Sequence, residues 1–198
     1  MKGTVMPARM NHAQSSNGWL KSYYFLRFAV SAAWVAIAVI VAKSVPPLAA
    51  VMLVAYPAWD ALANYVDAQR SGGLGRNKSQ LLNFAVSIVT AIAVAIALGR
   101  SMNAVLAVYG VWAVVSGAFQ LLTAARRWKS NGAQWAMILS GAQSALAGLF
   151  FVKMAGGAEA IGIANVAPYA AFGAFYFLVS AVWLSVSDIL RKSPPVAS

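Results

Sequence analysis

Apolar residues run through this chain in six long blocks separated by short polar clusters, and no block alternates as a strand would. The blocks fall at 25–42, 46–66, 81–98, 103–125, 134–152 and about 163–187. A helix needs about 20 mainly apolar residues to cross a bilayer, whereas a barrel strand needs about 10. The lengths therefore predict an all-α polytopic membrane protein with six transmembrane helices. A polar tail over 1–22 precedes a bundle over 23–192, and 193–198 form a short C-terminal tail.

Composition agrees. Hydrophobic residues make up 61% of the 198 positions and charged residues only 10%, against about a quarter in a soluble domain. Mean hydropathy is +0.70. Too few charges exist to coat a water-facing surface, so lipid is the expected solvent.

The net charge of +11 acquires meaning from its placement. Lys2, Arg9, Lys21 and Arg27 precede or open the first block, and Arg70, Arg76 and Lys78 lie between the second and third. Arg126, Arg127 and Lys129 lie between the fourth and fifth, and Arg191 and Lys192 follow the sixth. Only Lys43, Arg100 and Lys153 fall on the other side. Basic residues favour the cytoplasmic face of short membrane loops. Both termini are therefore expected in the cytoplasm. Basic residues beside apolar blocks suit contacts to anionic lipid headgroups, and no nucleic-acid partner is expected because no basic stripe with aromatic partners forms.

The chain has no cysteine, which excludes disulfides, iron–sulfur clusters and thiolate metal sites. Its one histidine, His12, lies in the polar N-terminal stretch, so no cofactor and no metal are expected. The first 22 residues lack the apolar core and small-residue cleavage site of a signal peptide, so the first block is expected to stay as a helix.

The blocks are related to one another. Phe28-Ala29-Val30-Ser31 recurs as Phe84-Ala85-Val86-Ser87, and Gly117-Ala118-Phe119 as Gly173-Ala174-Phe175, each at an offset of 56. At that offset Asp60 meets Ser116, Asn64 meets Gln120, and Arg70 meets Arg126. Three copies of one helical hairpin, at about 23–70, 80–127 and 134–190, are the economical reading. Each copy begins and ends on the same side, which makes the repeat parallel.

Two stretches carry a family likeness. Gly110-Val111-Trp112-Ala113-Val114-Val115-Ser116-Gly117-Ala118-Phe119-Gln120-Leu121, with Ala124-Ala125-Arg126-Arg127 after it, resembles the helix and basic end of HdeD-like proteins. Leu139-Ser140-Gly141 through Ala147-Gly148-Leu149-Phe150 does so too. The first repeat departs, with Ala33 and Trp34 where the family favours glycine. The resemblance implies a bacterial inner-membrane protein of repeated hairpins with a link to acid resistance. It brings no catalytic residues.

Four acids exist: Asp60, Asp67, Glu159 and Asp188. The last three fall near block ends and read as interfacial. Asp60 lies inside the second block, and an ionisable group at membrane depth is a functional candidate by default. Folding the first hairpin about residue 44 brings Asp60 level with Arg27, which could pair with it while reaching toward the interface. The repeat alignment adds Asn64, Asn83, Ser116 and Gln120 at similar depth. The expectation is a polar cluster centred on Asp60, with interhelical hydrogen bonding as the plain alternative. Pro57 and Pro168 are expected to kink their helices.

Ser140, Ser144 and Gly148 form a strip of small residues at helical spacing, and Gly117 and Gly173 offer similar surfaces for close helix packing. Trp19, Tyr23, Tyr24, Trp128 and Trp135 flank blocks as an interfacial belt would. Gly72-Gly73-Leu74-Gly75 lacks the lysine and the preceding strand of a phosphate loop and reads as a connector.

No nucleophile–base pair is present, so an enzyme is not expected. Three functions remain open: an HdeD-like protein of acid or stress tolerance, a small channel or transporter with Asp60 in its pathway, and an accessory subunit. Beyond the bilayer, a homo-oligomer and a larger membrane complex are both compatible with the small-residue strips.

Overall fold

The computed structural model describes the backbone of residues 6–127 and 134–192, with side chains over 18–122, 124–125 and 138–190. The side chains of Lys2, Arg9, His12, Arg126, Arg127, Trp128, Lys129, Trp135, Arg191 and Lys192 lie outside the described residues, as do the tail residues 193–198. The described chain is predominantly helical, with no strand among the described residues. Helices α1 (Met6–Ile40), α2 (Pro46–Arg70), α3 (Lys78–Leu98), α4 (Met102–Arg127), α5 (Gln134–Ala155) and α6 (Ala167–Lys192) follow in order. Six of its segments are long and apolar enough to cross a membrane, namely Gly18–Ser44, Pro46–Arg70, Lys78–Leu98, Met102–Leu122, Ile138–Ala155 and Ala167–Leu190. Helix α1 starts at Met6, well inside the polar stretch that precedes the first apolar block.

Local chemistry sets the ends. Pro46 and Pro47 open α2, where a missing N–H costs nothing because the first amides of a helix lack partners anyway. Past Arg70 the chain turns through Gly72 and Gly73, whose φ values are +97° and +91°. Only glycine takes that conformation without steric cost, and the Gly73 amide bonds back to the Ala68 carbonyl at 2.7 Å. The Ser101 hydroxyl accepts from the Ala104 amide at 3.1 Å and caps the start of α4. Pro168, expected to kink the sixth helix, instead sits in its first turn, where proline is tolerated. Pro57 lies in the interior of α2.

The chain divides into two compact units, residues 34–169 and residues 1–33 with 170–198. In the first unit α4 packs most closely on α5, and α2 on α3. The sequence reading pairs α3 with α4 as one hairpin, yet these two touch less. Glycine explains the closeness of α4 and α5. A Cβ on Gly117 would stand 2.5 Å from the Gly141 carbonyl oxygen, and one on Gly148 would stand 2.5 Å from that of Gly110. The reciprocal positions are as tight, Gly110 to Gly148 at 2.8 Å and Gly141 to Gly117 at 2.9 Å. Two glycine pairs, one heptad apart on each helix, thus bring the backbones into contact at two levels. Small residues allow this close approach in lipid, where dispersion replaces the hydrophobic effect between helices.

An aromatic core fills the same unit. Trp34 lies 4.9 Å from Tyr56, which meets the edge of Trp112 at 6.1 Å. Trp112 contacts Tyr109 at 5.7 Å and Tyr169 at 6.0 Å, and Tyr169 reaches Phe151. The polar handles of Trp34, Tyr109, Trp112 and Tyr169 find partners, as buried groups away from water require. Trp34 Nε1 donates to the Met52 carbonyl at 2.9 Å, the register expected from folding the first hairpin about residue 44. Ser144 donates to the Ala113 carbonyl at 2.9 Å, which leaves the Tyr169 hydroxyl as donor to Ser144 at 3.1 Å.

In the second unit, the far ends of α1 and α6 meet. The Arg27 guanidinium lies 4.1 Å from the Phe177 ring centroid and donates to the Tyr23 hydroxyl at 3.2 Å. Tyr24 stacks on Phe177, and Trp19 on Tyr23. Lys21 pairs with Asp188 at 3.7 Å.

Candidate functional site

Asp60 sits on α2 at about 15 Å along the helix from Arg70, and its side chain is half-buried. A charged group at that depth is tolerated when hydrogen bonds replace its water. Asn64, one turn on, donates through Nδ2 to Asp60 Oδ2 at 3.0 Å and to the Asp60 carbonyl at 2.8 Å. From α3, the Ser87 hydroxyl donates to the same Oδ2 at 2.8 Å. From α4, Trp112 Nε1 donates to Ser87 Oγ at 3.2 Å.

The directions of these bonds are fixed by chemistry. An indole N–H can only donate, so Ser87 uses a lone pair toward Trp112 and its single proton toward Asp60. The amide Nδ2 can only donate as well. Both groups therefore present protons to Oδ2, an arrangement matched to a carboxylate acceptor. Ser87 is 1% exposed and Trp112 5%, which removes competing water and makes the chain Trp112–Ser87–Asp60 directional.

Three helices thus contribute to one site, and two of its members, Ser87 and Trp112, were not among the residues that the sequence placed in the polar cluster. Ser87 carried a signal, since it closes the second Phe-Ala-Val-Ser copy; its counterpart Ser31 is also buried, at 2%. Trp112 lies in a span interior, whereas interfacial tryptophans cluster near span ends. Asn83 and Ser116 are half-buried, and neither hydrogen-bonds to this group among the described residues. Gln120 has its Oε1 buried without a hydrogen-bond partner among the described residues, as does Trp59 at Nε1. Arg27 belongs to the unit formed by residues 1–33 and 170–198, Asp60 to the other.

The expected packing residues take several roles. Gly117 and Gly148 make backbone contact with α5 and α4 respectively. Gly110 and Gly141, not singled out from sequence, are their equals. Ser144 carries the hydrogen bonds to Ala113 and Tyr169 given above, while Ser140 on α5 and Gly173 on α6 are half-buried. Asp67 accepts from Gln80 at 3.2 Å, which ties the ends of α2 and α3.

No curated protein and no solved structure matches this chain. Residues 85–153, from α3 through α4 to the last turn of α5, match the model of a short repeat of unknown function (DUF308), the family to which HdeD belongs.

Proposed function

We propose that this chain is a non-enzymatic protein of the bacterial inner membrane, with both termini cytoplasmic, that acts in acid or stress tolerance through Asp60. The observation carrying the proposal is the carboxylate held inside the bundle by Ser87 and Asn64. Intramembrane acids mark proton and ion relays far more often than their numbers would suggest. The short-repeat match over residues 85–153 supports the HdeD-like reading, and the placement of twelve basic residues on one side supports the orientation.

The test is survival of a deletion strain through acid shock, rescued with wild-type protein or with Asp60→Asn at matched membrane abundance. Rescue by wild type alone ties tolerance to the carboxylate. Equal rescue assigns Asp60 to packing, and a deletion without phenotype removes the acid-tolerance reading.

A second reading, a small channel or transporter with Asp60 in its pathway, draws on Gln120 and Trp59. Their buried polar atoms have no hydrogen-bond partner among the described residues, and such groups are costly in a membrane unless they line a watered cavity. Proton flux into vesicles containing the purified protein, lost in Asp60→Asn, would favour this reading.

A further inference from the structure

Helices α3 and α4 leave a trough of about 510 Å³ between them, lined by Val89, Thr90 and Ala93 of α3 and Ala107, Val111 and Trp112 of α4, among others. All of these lie within membrane-crossing segments. Val89 and Val111 are 65% and 57% exposed, whereas Trp112 is 5% exposed, so the trough has open rims and the indole as its floor. Its lining carries no charge. The polar atoms among these six side chains are already engaged, Thr90 Oγ1 with the Val86 carbonyl at 2.8 Å and Trp112 Nε1 with Ser87. Such a lining complements an occupant without charge or hydrogen-bonding groups. A trough between two consecutive spanning helices also runs roughly along the membrane normal, which is the direction of a lipid tail.

We propose that this trough is a binding site for one hydrocarbon chain of a bilayer phospholipid. Because the floor is Trp112, the bound chain rests on the ring that holds Ser87 toward Asp60. Lipid is thereby separated from the half-buried carboxylate by a single indole and one hydroxyl.

The test uses the full-length protein in vesicles of phosphatidylethanolamine and phosphatidylglycerol, with a trace of phosphatidylcholine bearing a mid-chain diazirine. After photolysis, labelled residues are mapped by peptide mass spectrometry. Leu146 and Leu149 of α5 serve as controls, since they are 67% and 59% exposed and the contact of Gly110 with Gly148 sets them at the depth of the trough. The expected result is labelling of Val89, Ala93, Ala107 and Val111 about tenfold above the controls. Ala93→Leu or Ala107→Leu, which fill the trough, should abolish that excess and leave the α5 labels unchanged. Equal labelling of trough and control in the wild type overturns the proposal, because ordinary boundary lipid would then suffice. The proposal is also overturned if Val111→Cys, a lone cysteine in this chain, oxidises efficiently to a disulfide dimer, since a second copy would then occupy the trough.

Discussion

The Tyr109 hydroxyl donates to the Leu53 carbonyl at 2.7 Å, the carbonyl that Pro57 leaves without its helical amide. In an α-helix the carbonyl of residue 53 accepts from the amide of residue 57, and proline has none. Tyr109 on α4 therefore supplies a hydrogen bond that α2 cannot make for itself. Tyr109 is fully buried, so no water competes for the position.

That relationship can be separated from general packing by a double-mutant cycle. Tyr109→Phe should destabilise the protein by about 0.5–1.5 kcal/mol. In a Pro57→Ala background the restored amide serves Leu53, and the same change should cost less. Thermal unfolding of the four proteins in one detergent gives the coupling; equal costs in both backgrounds would contradict it.

The glycine contacts make a sharper steric prediction. Gly117→Ala places a methyl 2.5 Å from the Gly141 oxygen and 2.6 Å from the Ala145 nitrogen, both backbone atoms that cannot step aside. Separating α4 from α5 should cost about 1–3 kcal/mol. Gly75→Ala, with open space around its Cβ, should be near neutral. Resistance to unfolding, read side by side for the two variants, checks this.

Ser87 is predicted to matter more than its size implies. Ser87→Ala removes a donor from Asp60 and leaves the Trp112 N–H without its acceptor, at a cost of about 1–3 kcal/mol. Trp112→Phe should then cost less in the Ser87→Ala protein than alone, because the bond it removes is already gone. Additive losses would separate the indole from the site.

Topology is accessible through the absence of native cysteine. Single cysteines at Lys43, Lys153 and Arg76, all exposed, can be challenged in intact cells with a membrane-impermeant maleimide. Lys43→Cys and Lys153→Cys should label, and Arg76→Cys should label only after the membrane is opened. The reverse pattern would invert the orientation.

Span positions were legible from sequence because lipid demands one property, continuous apolarity over a fixed length. Asp60 was legible for the same reason, as the exception inside an apolar block. Ser87 and Trp112 were not, since neither violates the apolar pattern and helix rotation cannot be read from depth. Depth did bring Trp34 to the level of Met52, but rotation decides that Ser87 rather than Asn83 faces Asp60. The glycine pairs were half legible. Gly117 and Gly148 stood out beside other small residues, whereas their partners Gly141 and Gly110 become meaningful only when the two helices are aligned antiparallel.

The contact between α4 and α5 also bears on how the chain is made. Helix α4 leaves the ribosome with Gly110 and Gly117 as bare backbone on one face, and the surface that covers them is synthesised only after the connection at 128–133. A nascent chain released before Ile138 would display that uncovered strip to the bilayer, where another helix with small residues could dock on it. Completion of α5 therefore closes a window of vulnerability in biogenesis, and chains truncated before α5 is complete should be marked for destruction by membrane quality control.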